Sequence, residues 1–454
     1  MSVSRRFLIT TLGIALAFAL PTAAQEESAS GYNISQQRAA VVRSERIMAQ
    51  ASKRKGLLAQ FLYMRDTYST SDDYPFRVIF NQYVSWYQTW VGDYNGARAT
   101  FSIASVAAVD DSESPMQGGF HPEPAVEVIA KLAKGRQAVF LNEAHSNALT
   151  RIVTVEVLAK LRADGFDTFA AETLYDTDKD LAQRGFPDSS SGFYTEEPVY
   201  AEMVRTALKL GFKVIPYEAT SNATGNEREQ EQAHNLIAAS LKKNPKARII
   251  VNAGFAHIQK AGVYLGGKSM AQHFQRLTGI EPLCIEQTMM TPHLKSNKDH
   301  PYYTAIMAMQ KPTVPVIYVN VDGKPWSLKK EGYDASVVFP PEVYRRERPT
   351  WLALGGLRLP YQISGTICNL EYPCLIEARY KDEDDGAIPA DRAVIELGGH
   401  YAVSSDTLRE STSAVQLTTL WLRPGEYRLV ARDKYNRTVS RRNLTIGNKD
   451  GAAP

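Results

Sequence analysis

Glu143, Glu172, Glu218 and His257 each lie at or just past the end of a short apolar run of strand length. Glu143 and His145 stand two residues apart, so on an extended chain end their side chains share one face. Glu172 follows Ala170-Ala171, Glu218 closes a run at Tyr217, and His257 ends the segment Gly254-Phe255-Ala256-His257. Carboxylates and imidazoles gathered in this way support two kinds of chemistry. A divalent cation (Mn, Co or Zn) held by Glu143, His145 and His257 would turn its bound water into a nucleophile near neutral pH. Without a metal, a carboxylate would orient a histidine that activates water as a general base. On either route Glu143, His145, Glu172 and His257 form the expected catalytic set. Tyr217, Glu218 and Arg228 are the expected substrate-binding residues; a guanidinium such as that of Arg228 holds carboxylate or phosphate bidentately. Gly254 reads as a tight turn that lets the backbone approach a ligand.

The elements that must position these residues alternate. Strands are expected at 137–142, 168–171, 213–217, 248–252, 283–285 and 314–321, with helices at 150–164, 198–210, 227–243 and 269–277. Strand-helix alternation with continuous apolar strands predicts an α/β domain with a mostly parallel sheet flanked by helices. In such a sheet, ligands bind at the carboxyl ends of the strands, where the glutamates and histidines fall. This central domain is expected over 119–343. His121 in the loop before it and His234 in mid-helix read as structural or exposed.

The flanks differ in pattern. Residues 25–118 read as a helical N-terminal region. Gln36–Met64 is rich in strong helix formers, and an aromatic helix near Val78–Trp90 caps the next domain. Residues 350–448 carry short β-rich runs separated by turns such as Pro424-Gly425, which predicts a small β-sandwich-like domain. The run Lys381–Asp385 reads as a solvated hairpin tip rather than a calcium loop. At the start of the chain, Arg5-Arg6, the apolar run Phe7–Leu20 and the small residues Ala23-Ala24 follow the order of a secretory signal, so 1–24 is expected to direct export to the periplasm or the medium. That run is shorter than the roughly 20 apolar residues a membrane span needs, and no later stretch approaches it. Of three cysteines, Cys368 and Cys374 are close enough to pair in an oxidising compartment, and Cys284 reads as a buried thiol. With a net charge of +3 and no basic patch interleaved with aromatics, nucleic acid is not an expected partner.

The order of motifs resembles the superfamily of the haem-binding ChaN proteins, the erythromycin esterases and the Tiki/TraB proteases. The residues carrying the resemblance are Glu143-Ala144-His145, Glu172, Gly254-Phe255-Ala256-His257 and Gly332-Tyr333-Asp334-Ala335, within about 120–343. Members usually have glycine before the first glutamate, where this chain has Asn142. The resemblance implies one shared site on a scaffold that hosts ester hydrolysis, metal-dependent peptide cleavage and haem binding.

Two functions follow as expectations. The first is an exported hydrolase of ester or amide bonds, acting on a small-molecule or peptide substrate. The second is a ChaN-type periplasmic protein that binds haem or another small ligand without turnover, with histidine or tyrosine as ligand. Carboxylates outnumber neutral ligands at the site, which favours the hydrolase.

Overall fold

A computed structural model describes residues 34–67, 72–101, 112–396 and 417–447. The expected export signal at 1–24 lies outside these residues. Among them, no helix is long and apolar enough to cross a membrane.

The chain opens with four helices, α1 (Ile34–Ala51), α2 (Leu57–Thr67), α3 (Tyr74–Trp90) and α4 (Tyr94–Thr100). The helical stretch expected over 36–64 is two helices, because Ser52–Gly56 breaks it. Gly56 sits at φ +89°, and a Cβ there would overlap Asn436, so the break is fixed by conformation and by contact. Helix α3 starts on Asp73, whose carboxylate accepts from the Phe76 N–H, and it carries a proline in its first turn. Trp86 and Trp90 then meet the Phe193 ring edge-on at 5.0 and 5.1 Å. These contacts dock the helical region on the central domain, as a cap would.

The central sheet has eight strands: β1 (His121–Pro124), β2 (Ala138–Glu143), β3 (Thr168–Ala171), β4 (Lys213–Ile215), β5 (Ile249–Gly254), β6 (Leu283–Met290), β7 (Val316–Val319) and β8 (Ala335–Val338). Their order is β1-β7-β8-β6-β2-β5-β3-β4. From β8 to β4 every pairing is parallel, and β7 runs antiparallel to both β1 and β8. The expected mostly parallel α/β sheet is therefore present. His121 begins an edge strand rather than lying in a loop. The sequence His-Pro-Glu-Pro hides this strand, because two prolines cannot donate to a ladder and are tolerated only at an edge.

Helices α5 (Ala125–Leu132), α6 (Ile152–Ala163), α7 (Leu181–Arg184), α8 (Pro198–Lys209), α9 (Gly225–Ala239), α10 (Met270–Thr278) and α11 (Pro301–Met309) complete the domain. Alternate residues of β2 feed two cores. Val139 and Leu141 join the cluster with Val153 and Leu158 of α6 and Met203 of α8. Ala138 and Phe140 join the cluster with Leu236 of α9 and Phe274 of α10. Strands buried on both faces explain the continuous apolar runs.

Beyond a short pair, β9 (Tyr344–Arg345) and β10 (Arg348–Pro349), the chain forms β11 (Leu359–Ser364), β12 (Cys374–Tyr380), β13 (Asp391–Ile395), β14 (Leu417–Leu422), β15 (Gly425–Asp433) and β16 (Thr438–Ile446). An antiparallel sheet in the order β13-β12-β15-β16 faces the β11-β14 pair. Ile363, Leu420 and Leu422 of the pair share a core with Ile376 and Leu429 of the sheet, which is the expected sandwich-like arrangement. A disulfide joins Cys368 to Cys374, and Cys284 is a free, buried thiol. The run Lys381–Asp385 is not wholly a solvated tip. Glu383 is buried and accepts bidentately from Arg205 of α8, at 2.7 and 2.5 Å, so it docks the C-terminal sheets on the central domain.

The half-buried carboxylate of Glu156 opposes folding at neutral pH. Burial pushes Glu156 of α6 up to about 7, with no cation to offset it. A carboxyl whose folded pKa is raised adds stability below its unfolded value and loses it as pH rises through the folded value. Glu156→Gln should therefore stabilise the protein by about 2 kcal/mol above pH 7 and change little near pH 4.5. Urea melts at the two pH values check this; equal effects at both would contradict it.

Candidate active site

Strands β2 and β3 are not neighbours, because β5 lies between them. Side chains from their carboxyl ends can meet only across the end of β5. That end is Gly254, paired with Glu143 in the ladder. A Cβ at Gly254 would lie 2.1 Å from His145 Cε1, 2.4 Å from His145 Nε2 and 3.0 Å from Glu172 Oε2. His145 and Glu172 thus face each other across a gap one glycine wide. The expected turn at Gly254 is corrected: its φ of −74° and ψ of 146° suit any residue. Space, not conformation, requires glycine here. The strain lies one residue on, at Phe255 (φ +42°) and, after Glu172, at Thr173 (φ +59°). Positive φ in these bulky or β-branched residues is uncommon and costs energy. Asn142, where the resembled family has glycine, steadies this corner. Its amide donates to the Phe255 carbonyl at 2.7 Å and accepts from the Gln287 N–H at 2.6 Å, tying β2 to β5 and β6.

The four expected catalytic residues converge as two histidine-carboxylate units. In the first, His145 Nδ1 lies 2.8 Å from Glu143 Oε1, and the Glu143 side chain is fully buried. Arg151 donates to Glu143 Oε2 at 2.7 Å and to Glu197 Oε2 at 2.7 Å. Burial alone would raise the Glu143 carboxyl, but the charges of Arg151 and His145 outweigh it and hold it below the usual range. Glu197 caps α8 and accepts from the Tyr94 hydroxyl at 2.7 Å, so the N-terminal region reaches the site through one hydrogen-bonded chain. His145 stacks on Tyr194 at 4.3 Å and meets Phe255 edge-on. Its side chain keeps 12% of its surface exposed, against 4% for His257, so it lies on the more open side of the group.

In the second unit, His257 lies between two carboxylates. Both Glu229 oxygens are within 2.8 Å of Nδ1, and Glu172 Oε1 is 3.5 Å from Nε2. Burial favours the neutral ring, but Glu229 and Glu172 outweigh it and raise the His257 pKa, which favours the imidazolium. Glu172 is held well below the usual carboxylate range. Burial opposes this, and the charges of His257, His145 and Arg228 with the Gly254 N–H overcome it. Arg228 is buried, donates to Glu218 at 3.0 and 2.8 Å, and reaches Glu172 at 3.3 Å.

Arg228 and Glu218 border the Glu/His group, and Tyr217 does not. Strand β4 ends at Ile215, and Tyr217 turns into the core beneath the site, its hydroxyl donating to the Asn252 carbonyl at 2.9 Å. Arg151, Glu197 and Glu229 are the residues that strand-end reasoning passes over, and Tyr194 is only a weak candidate in it. Arg151 opens the helix after the Glu143 motif, and Glu229 follows Arg228 in α9. Their positions next to singled-out residues are the only signal of them in the sequence.

The expected metal set is not assembled. Among the described residues, no three His, Cys, Asp or Glu side chains are grouped to hold one cation. The donor chemistry explains why. Both Glu143 oxygens are engaged by His145 and Arg151, and the Glu172 oxygens by Arg228, His257 and Gly254. Two guanidiniums, of Arg151 and Arg228, are interleaved with these carboxylates and engage them in place of a cation.

An α/β protein with two opposed histidine-carboxylate units across a glycine gap is the class that fold and site define. No family model matches the chain, and no curated protein matches it. Among solved structures, one described as bacterial protein toxins is 16% identical, with a TM-score of 0.27 over 46% of this chain and 44% of that one. The type III effector HopBA1 is 15% identical, with a TM-score of 0.23 over 40% of this chain and 96% of that one. RRSP, a MARTX toxin effector domain from Vibrio vulnificus CMCP6, is 13% identical, with a TM-score of 0.24 over 48% and 50%. The chain spans less than half of the first of these, and all three likenesses are partial.

Proposed function

We propose that this chain is an exported hydrolase of ester or amide bonds that activates water through His145 without a metal. The observation that carries the reading is His145 itself, with Nδ1 fixed by a buried, ionised Glu143 and its ring set against Gly254 opposite Glu172, whose carboxylate meets His257 and Arg228. A histidine so held presents one tautomer and one direction to water. Water loses a proton to His145 Nε2 as its oxygen bonds to the substrate carbonyl carbon. Glu143 stabilises the imidazolium that forms. The carbonyl oxygen takes up the electron pair, and the cations of His257 and Arg228 lie where they can offset that charge. Collapse of the tetrahedral species breaks the C–O or C–N bond, and His145 returns its proton to the leaving alcohol or amine.

Export rests on the character of residues 1–24, and the hydrolytic class is also what the resemblance over 120–343 implies. The test is a panel of nitrophenyl esters and peptide anilides, assayed with and without EDTA. At least one class should turn over, with a rate unchanged within about twofold by the chelator. Loss of activity that Mn, Co or Zn restores would overturn the metal-free route. Absence of turnover across the panel would overturn the hydrolase.

A further inference from the structure

A cavity lies apart from the Glu/His group and shares none of its residues. It occupies about 730 Å³ where the start of α4, the segment after β6, α11 and strands β13 and β14 come together. That size falls in the range of about 300–1,000 Å³ typical of small-ligand pockets.

Its charge is one-sided. Asp93, Asp299, Glu342, Glu347 and Glu396 line it, and Arg348 is the one Lys or Arg among the described lining residues. Arg348 is already committed, donating to the Thr419 and Gly92 carbonyls and to Asp391. Arg98 pairs with Glu342 and Arg65 with Glu396, each from outside the lining. Asp93 caps α4, accepting from the Gly96 N–H, and feels the charge of Arg348; Asp299 accepts from His293 and feels that of Arg98; Glu347 has no lysine or arginine partner among the described contacts. A second observation points to a ligand independently of charge. Tyr303 is 2% exposed and its hydroxyl has no hydrogen-bond partner, although it lines the cavity. Buried polar groups are seldom left unpaired, and one that is calls for a missing water or ligand. Ala99, Met307, Ala393 and Val394 supply an apolar wall.

We propose that this cavity binds a small organic cation, a protonated amine on an apolar body. The carboxylates accept from the ammonium, the Tyr303 hydroxyl pairs with it, and the apolar wall covers the remainder. The surplus of negative charge turns an anion away, and a purely apolar molecule would leave Tyr303 unpaired. The proposal does not depend on the hydrolase reading.

Calorimetric titration of the whole chain tests it, with phenethylamine as the probe and phenylacetate as the control of similar shape and opposite charge. Phenethylamine should bind once per chain, and phenylacetate should not. The double variant Asp299→Asn, Glu347→Gln should weaken amine binding about tenfold or more, and Tyr303→Phe should weaken it several-fold with an unchanged melting temperature. His145→Ala should leave amine binding as it is. The proposal is overturned by no amine binding at millimolar concentration or by equal binding of phenylacetate. It is equally overturned by unweakened binding in the cavity variants, or by loss of binding in His145→Ala, which would move the amine to the Glu/His group.

Discussion

His145→Ala should lower kcat/KM by about a thousandfold while leaving the melting temperature within a few degrees of the parent. A thousandfold is about 4 kcal/mol of transition-state stabilisation, the scale expected for removing an oriented general base. The small effect on stability follows from what stays behind. Glu143 loses one hydrogen bond but keeps Arg151 at 2.7 Å, so no buried carboxylate is left unpaired. The vacated imidazole sits on the exposed side of the site, beside the Tyr194 ring. His257→Ala should behave differently. Its ring is buried between Glu229 and Glu172, and its removal leaves two buried carboxyl groups facing an empty space. Breaking a buried pair in this way costs roughly 3–5 kcal/mol. Strand-end reasoning treats the two histidines as equivalent; the structure separates them. Kinetics and thermal melts on both variants decide the matter. A His145→Ala enzyme within tenfold of the parent rate would place the base elsewhere.

What could be read from the sequence follows its physical logic. Runs such as Phe169-Ala170-Ala171 and Ile249-Ile250-Val251 are strands buried on both faces, so their type is plain from sequence, and with it the rim that carries Glu143, Glu172 and His257, although the second strand runs on to Gly254, two residues past its expected end. The strand before Tyr217 was read two residues too long. Pro216 ends the ladder at Ile215 and re-aims the tyrosine into the core. Arg151, Glu197 and Glu229 were not legible, because each owes its place to a partner from another element: Glu143 of β2, Tyr94 of α4 and His257 after β5. Such pairings depend on the order of strands, and composition does not encode that order. The same limit hid the reason against a metal. The carboxylates and imidazoles are visible along the chain, but the two arginines that occupy them become visible only when β2, β5 and β3 stand side by side.

Gly254→Ala should reduce kcat/KM by about a hundredfold or more, through one methyl group placed where His145 now lies. The backbone at Gly254 suits alanine, so the substitution carries no conformational penalty of its own. All of its effect falls on the neighbours. The new Cβ would stand 2.1 Å from His145 Cε1 and 3.0 Å from Glu172 Oε2. The imidazole is the part able to move. It would swing out of the gap, part from Glu143 and lose the direction of Nε2. Overpacking of this kind costs about 1–3 kcal/mol of stability, too little to unfold a domain with this sheet at its centre. Gly332→Ala is the matched control. A Cβ there meets nothing nearer than 3.6 Å, so it should keep parental activity even though Gly332 belongs to the motifs of the resembled family. Full activity in Gly254→Ala would mean that His145 need not occupy the gap to work. The pairing of Glu143 with His145 would then be architecture rather than catalysis, and the water-activating role would pass to the His257 unit, where Glu229 and Glu172 raise the affinity of the ring for a proton.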